Sequence, residues 1–278
     1  MRTRMFLAML MAVPVLASQP AVVHAQGLRV STNVYDISTS EGKTPPQVVS
    51  TSLTLIHNGR VYDYVHSADE VVIFDPVGRK FTVLNTKRNL ATRPTFDEIR
   101  HLLESLRPKT EDYINEQRAS GNPDARRISE SLQFQLDPQF KNSFDPMKGL
   151  LVLSSPSFTY RVETRKWADP DQVDKYLAYT DWTARLNALL HPGSLFPEPR
   201  IALNEAIRKQ KDRMPISVEL DLRPNEQFRL KAEHQWTQQL SSEDHARIAR
   251  WEESLNSDTI KDIPFRSYQQ AMLVSKSR

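Results

Sequence analysis

Between Leu28 and Leu84 apolar and polar residues alternate with a period of two, and short turn signals interrupt the alternation. Successive side chains of a strand point to opposite faces, so this pattern marks strands with one buried face. Leu28, Val30, Thr32 and Val34 share a face of the first strand; Val49, Thr51, Leu53 and Leu55 share a face of the second. His57-Asn58-Gly59-Arg60 then turns the chain into Val61–Val65. Asn-Gly is a strong hairpin signal because both central residues of a type I′ turn need φ > 0. Val71–Phe74 and Lys80–Leu84, joined through Asp75-Pro76-Val77-Gly78, complete a five-stranded antiparallel meander. Segment 38–47, with Pro45-Pro46, reads as a polar loop.

A helix is predicted after the meander. Thr95-Phe96-Asp97-Glu98 fits a capping box, and Phe96, Ile99, Leu102, Leu103 and Leu106 fall on one face. Pro108 ends or kinks this helix, or it continues to Gly121-Asn122-Pro123, the best internal boundary of the chain. Beyond it, Leu132, Phe134 and Leu136 alternate with glutamines, and a Pro-punctuated loop leads to Leu150–Leu153 and then Phe158, Tyr160 and Val162. Asp169-Pro170 opens a long helix that stops at His191-Pro192-Gly193. A short helix follows Pro197 and Pro199. Two strands, Ile216–Leu222 and Phe228–Trp236, flank a tight turn at Arg223-Pro224-Asn225-Glu226. The last helix opens at Ser241 or Ser242 and buries Ile248, Trp251 and Leu255. The expected fold is α+β: a curved, mostly antiparallel, half-barrel-like sheet with about four helices on it. Residues 26–122 form the meander and first helix, and 123–278 a second α+β part continuous with the first.

The first residues carry a different signal. Arg2 and Arg4 precede an apolar run from Met5 to Ala17, too short for a bilayer span of roughly 20 residues. A basic start, a short apolar run and a small-residue exit are the parts of a secretory signal. Cleavage is expected after Ala25, with Ala17 as a second possible site; a buried hydrophobic helix is the alternative. The expected location is therefore periplasmic or extracellular. The formal charge is +3, and Arg2 and Arg4 leave with the signal, so the remainder carries +1. A general nucleic-acid binder keeps a larger positive excess, so nucleic acid is not an expected partner. With no cysteine, stability must come from a hydrophobic core.

No chemical motif stands out. Glycine-rich phosphate loops, zinc spacings and a Gly-x-Ser-x-Gly elbow are all absent from the sequence, so no enzyme activity, cofactor or metal is expected. His234 shares a strand face with Leu230, Ala232 and Trp236, where a satisfied core histidine is the simpler reading. Asp169, Asp171 and Asp174 are explained by the start of a helix. Tyr176, Tyr179 and Trp182 could line a groove or simply pack the long helix. Residues 79–109 and 200–213 are locally basic and could touch a membrane surface or an acidic envelope polymer.

The hairpin Leu53–Tyr64, turning at Asn58-Gly59, is followed by Glu70–Leu84, whose first strand ends in the aromatic-Asp-Pro turn Phe74-Asp75-Pro76. Over about residues 48–107 this resembles the half-barrel carriers of bacterial lipoproteins, the LolA and LolB type; the chain is also similar to exported bacterial proteins of no assigned function. The resemblance implies a curved sheet whose concave face takes an acyl chain or similar hydrophobe. It implies a lipid or a lipoprotein as partner, and it transfers no functional residue. The concave-face candidates are Leu53, Leu55, Val61, Val65, Ile73 and Val83. Two functions follow as expectations. One is an exported binding protein holding a lipid or other hydrophobic ligand. The alternative is an envelope-associated structural or interaction protein without a small-molecule site.

Overall fold

The computed structural model describes residues 27–38, 45–191, 193–222 and 228–274. The predicted export signal, most of loop 38–47 and the turn at 223–226 lie outside the described residues. The first meander contains β1 (Leu28–Asp36), β2 (Gln47–His57), β3 (Arg60–Val65), β4 (Glu70–Asp75), β5 (Lys80–Asn85) and β6 (Leu90–Thr92). Helices α1 (Phe96–Ala119) and α2 (Pro123–Leu136) follow, then β7 (Lys141–Asp145), β8 (Leu150–Ser154) and β9 (Phe158–Lys166). Next come α3 (Pro170–Leu190), α4 (Glu198–Arg208), β10 (Arg213–Leu222) and β11 (Phe228–Thr237). The chain continues through α5 (Ser242–Leu255), β12 (Lys261–Asp262) and α6 (Phe265–Val274).

All twelve strands join one open sheet in the order β12-β6-β5-β4-β3-β2-β1-β11-β10-β9-β8-β7. Every pairing is antiparallel except β12 against β6. The central strand β1 pairs with β2 on one side and β11 on the other, so a single sheet draws on both 26–122 and 123–278. The predicted turn at Asn58-Gly59 is present, with φ of 48° and 76°.

The described residues contain six helices, not about four. One helix that the sequence pattern does not predict is α2, where Leu132, Phe134 and Leu136 alternate as a strand would. Five residues cannot separate a period of two from the i, i+4 pair of a helix, and Leu132 and Leu136 are such a pair. Its start signal matches that of α3: the Asn122 side chain accepts from Asp124 N and Pro123 opens the helix, as Asp169 and Pro170 do for α3. The second is α6, held to β4 by a buried hydrogen bond of 2.8 Å from the Tyr268 hydroxyl to Glu70 Oε2. The predicted α1 runs through Pro108 without ending there.

The helices divide unequally between the two faces. On one, residues of α1, α3, α4 and α6 join inward side chains of the sheet in the main core, among them Phe74, Phe81, Phe96, Val162, Leu177 and Leu203. Trp182 belongs to this packing and stacks on Phe96 with ring centroids 3.8 Å apart. On the other face α5 packs Ile248 and Trp251 onto Leu53, Leu55, Tyr62, Val71, Ile73 and Leu84. Strand β4 is therefore covered on both sides, which explains the unbroken apolar run Val71-Val72-Ile73-Phe74. Ser241 and Asp244 form a full capping box at the start of α5. Among the described residues no helix is long and apolar enough to cross a membrane.

Candidate functional site: a cavity beneath helix α3

The inward face of the sheet changes character toward its centre. Alternation aims Thr32 and Val34 of β1, Ser52 and Thr54 of β2, and Ala232 and His234 of β11 at the helical layer. These side chains are smaller than the phenylalanines around β4 and β5, and α3 does not close down on them. The result is a cavity of about 450 Å³, inside the size range of small-ligand sites, roughly 300–1,000 Å³. Its apolar wall comes from Val34, Val218, Leu220, Leu230 and Ala232, with Leu195 and Phe196 entering from the segment between α3 and α4. Tyr176, Tyr179, Thr180 and Thr183 of α3 and Arg200 of α4 contribute from the helical side, and Asp63 and Tyr160 from the sheet.

Its polar groups are of two kinds. Asp63 is fully engaged: Thr54 Oγ1 donates to Oδ1 and the Tyr179 hydroxyl to Oδ2, both at 2.8 Å. Burial pushes the Asp63 carboxyl above its ordinary pKa, against the lowering effect of those two donors and of the neighbouring Ser52 hydroxyl. Burial, reinforced by the Asp63 charge, raises Tyr179 well above the usual phenol range. This trio ties α3 to β3.

The second kind is under-used. His234 Nδ1 lies 2.9 Å from Thr32 Oγ1, but its Nε2 is enclosed and has no hydrogen-bond partner. Burial, and secondarily the charge of Arg200, push His234 down to about 4, so its imidazole is neutral at pH 7. Tyr160 is buried, which pushes its phenol up to about 12, and its hydroxyl makes no hydrogen bond among the described residues. Arg200 Nε donates to Asn204 Oδ1 at 3.2 Å. Asn204 is itself held by donating to Thr180 Oγ1 and Asp181 Oδ1, at 3.0 and 2.6 Å. No described carboxylate lies within ion-pair distance of Arg200. By contrast, Arg208 of the same helix pairs with Asp181.

None of the six residues expected to line a concave site is in the cavity wall. Leu53, Leu55 and Ile73 point to the opposite face and are buried beneath α5. Val61 and Val83 face the helical layer but belong to its packed core. Val65 is half-buried and, with Val61, flanks Asp63 on that side of β3. The structure thus splits the six between two faces. Of the three aromatics on the long helix, Tyr176 and Tyr179 reach the cavity and Trp182 does not. Asp63 and Arg200 carry little signal in the sequence. A carboxylate between two tyrosines, at a strand position facing the same way as Val61 and Val65, was the one visible sign of the first. Arg200 looked like any other member of a basic stretch.

Much of that basic charge is matched internally. Arg79 and Arg100 both pair with Asp97, Arg107 with Glu111 and Arg93 with Asp262. No described group of three or more His, Asp or Glu side chains is arranged to hold a metal ion. No protein-family model matches the chain, and no curated protein matches it.

Proposed function

We propose that this chain is an exported binding protein of the bacterial envelope that holds a lipid or other hydrophobic ligand in the cavity beneath α3, without turning it over. The carrying observation is the cavity itself. It has the volume of a ligand site, an apolar wall from β1, β10 and β11, and a few anchored polar groups at one side. In this reading the open sheet is a half-barrel, and α3 and α4 are its cover. Apolar burial is non-directional and needs no catalytic signature, in keeping with a sequence that has none.

Two measurements test the reading. Native mass spectrometry of the purified protein should show a co-purified amphiphile. A fluorescent fatty-acid probe should bind the wild type and bind Ala232→Leu at least about tenfold more weakly, because the larger side chain occupies the cavity and displaces the apolar contact of the ligand. No adduct together with no probe binding by the wild type would overturn the proposal. Export is read separately by N-terminal sequencing of envelope-fraction protein. Gln26 is the expected first residue, Ser18 would move the cleavage site, and an intact Met1 in the cytoplasm would refute export.

A further inference from the structure

The polar side of the cavity is unbalanced. Arg200 brings a permanently charged guanidinium that pairs with no described carboxylate. The Tyr160 hydroxyl and His234 Nε2 are both at the cavity, neither is hydrogen-bonded to a described residue, and they add two groups able to donate. Buried hydroxyls and imidazole nitrogens usually find partners, yet His234 Nε2 and Thr183 Oγ1, both of this cavity, are enclosed without one among the described residues. The acceptors of the cavity do not meet this demand, since both oxygens of the one carboxylate, Asp63, are already taken by Thr54 and Tyr179. What is missing is an acceptor-rich, negatively charged group.

Resting on the binding reading above, we infer that the ligand is an anionic amphiphile, its acidic head (a carboxylate or phosphate monoester) held by Arg200 with Tyr160 and His234, and its tail on the apolar wall. The geometry supports this on three counts. Arg200 is pre-positioned by Asn204, which is fixed in turn to α3, so little side-chain freedom is lost on binding. A planar guanidinium can take a carboxylate or phosphate through two parallel hydrogen bonds. The charge of Arg200 also reaches the proposed partners, depressing His234 and opposing the rise of Tyr160, and Tyr176 hydrogen-bonds Arg200 beside them.

The test compares three probes of equal chain length, dodecanoate, dodecyl phosphate and dodecanol, titrated into the wild-type protein and Arg200→Met by calorimetry at pH 7.5. At least one anion should bind the wild type about tenfold or more tightly than dodecanol. Arg200→Met should lose about 10–100-fold for that anion, the size expected when a charged hydrogen bond is removed, and keep its dodecanol affinity. The preferred anion distinguishes a carboxylate source from a phosphate one.

A second readout does not depend on the variant folding well. His234 should be followed by NMR in the free and dodecanoate-bound protein. The titratable groups that surround it or share its cavity are Arg200 of α4, Tyr176 and Tyr179 of α3, Tyr160 of β9 and Asp63 of β3. An added anion should raise the His234 pKa by about one unit or more, whereas an uncharged ligand, which only removes water, should lower it. Equal affinity for dodecanol and both anions, with no rise at His234, would overturn the anionic head and leave the binding reading standing. No binding of any probe, with no co-purified amphiphile, would overturn both.

Discussion

Two regions of the same sheet meet the helices in opposite ways. Around β4 and β5 both faces are filled. Phe74, Phe81 and Phe96 interlock on the side of α1, with centroid separations of 5.3 to 5.7 Å, while Leu55, Ile73 and Leu84 are sealed beneath α5. Around β1, β2 and β11, the inward positions carry Thr32, Ser52, Thr54, Ala232 and His234, and a cavity remains. Strand β2 belongs to both regions: Leu53 and Leu55 are packed on one face, and Ser52 and Thr54 line the cavity on the other. A run of inward Thr and Ser within otherwise apolar strands therefore marks where the interior stays open. Apolar weight on the strand does not mark it.

The contrast can be broken most severely on the filled side. Leu55 has no solvent exposure, and Leu55→Ala should destabilise the protein by about 2–5 kcal/mol through lost burial and the void left behind. Denaturant melts measure this. The same variant, under folding conditions, should bind a fatty-acid probe as the wild type does. Parallel loss of binding would mean that the two faces are not separate.

A smaller effect is expected at the boundary of the cavity. Tyr179→Phe removes the donor to Asp63 Oδ2 and should cost about 1.5–3 kcal/mol, the range for a hydrogen bond to a charged group. Asp63→Asn in the same background should recover part of that loss, since a neutral amide costs less to enclose than a carboxylate. If the double variant is no better than Tyr179→Phe alone, Asp63 is already neutral in the wild type.

Thr95→Ala tests the filled side at its edge. The Thr95 hydroxyl accepts from Glu98 N at 3.1 Å, and its loss should cost about 1 kcal/mol. An unchanged melting midpoint would mean that α1 is held by packing of Phe96 and Ile99 alone.

The smallest effect at neutral pH is expected at His234, and it appears on acidification. With His234 at about 4 in the fold, below its ordinary 6.5, the unfolded chain takes up the proton first as pH falls. Its contribution to stability is present above pH 6.5 and is lost as pH drops toward 4. His234→Phe should flatten the stability curve across that window. An identical acid slope in the two proteins would show that His234 is open enough to water to titrate normally.

Local signals were legible where the chemistry is local. The Asn58-Gly59 turn, the Thr95 and Asp169 caps and the alternation along β1, β2, β10 and β11 all lie within a few residues of the structure they specify. Equally local signals were missed where two periods overlap, as at Leu132 and Leu136 of α2, or where a strand is too short to show a period, as in β6 and β12. The cavity was not legible at all. Asp63, Tyr160, Tyr176, Arg200 and His234 come from five different elements, and no spacing in the chain brings them together.

Alternation by itself determined that β2 has two chemically different faces, one bearing Leu53 and Leu55 and the other Ser52 and Thr54, because backbone pleating sends neighbouring side chains to opposite sides. Only the tertiary structure decided which of those faces is filled and which encloses a cavity. That depends on the volume of side chains arriving from α3, α4 and α5, more than a hundred positions away in the chain. Close packing is a property of the assembled layers, to which each strand contributes one surface.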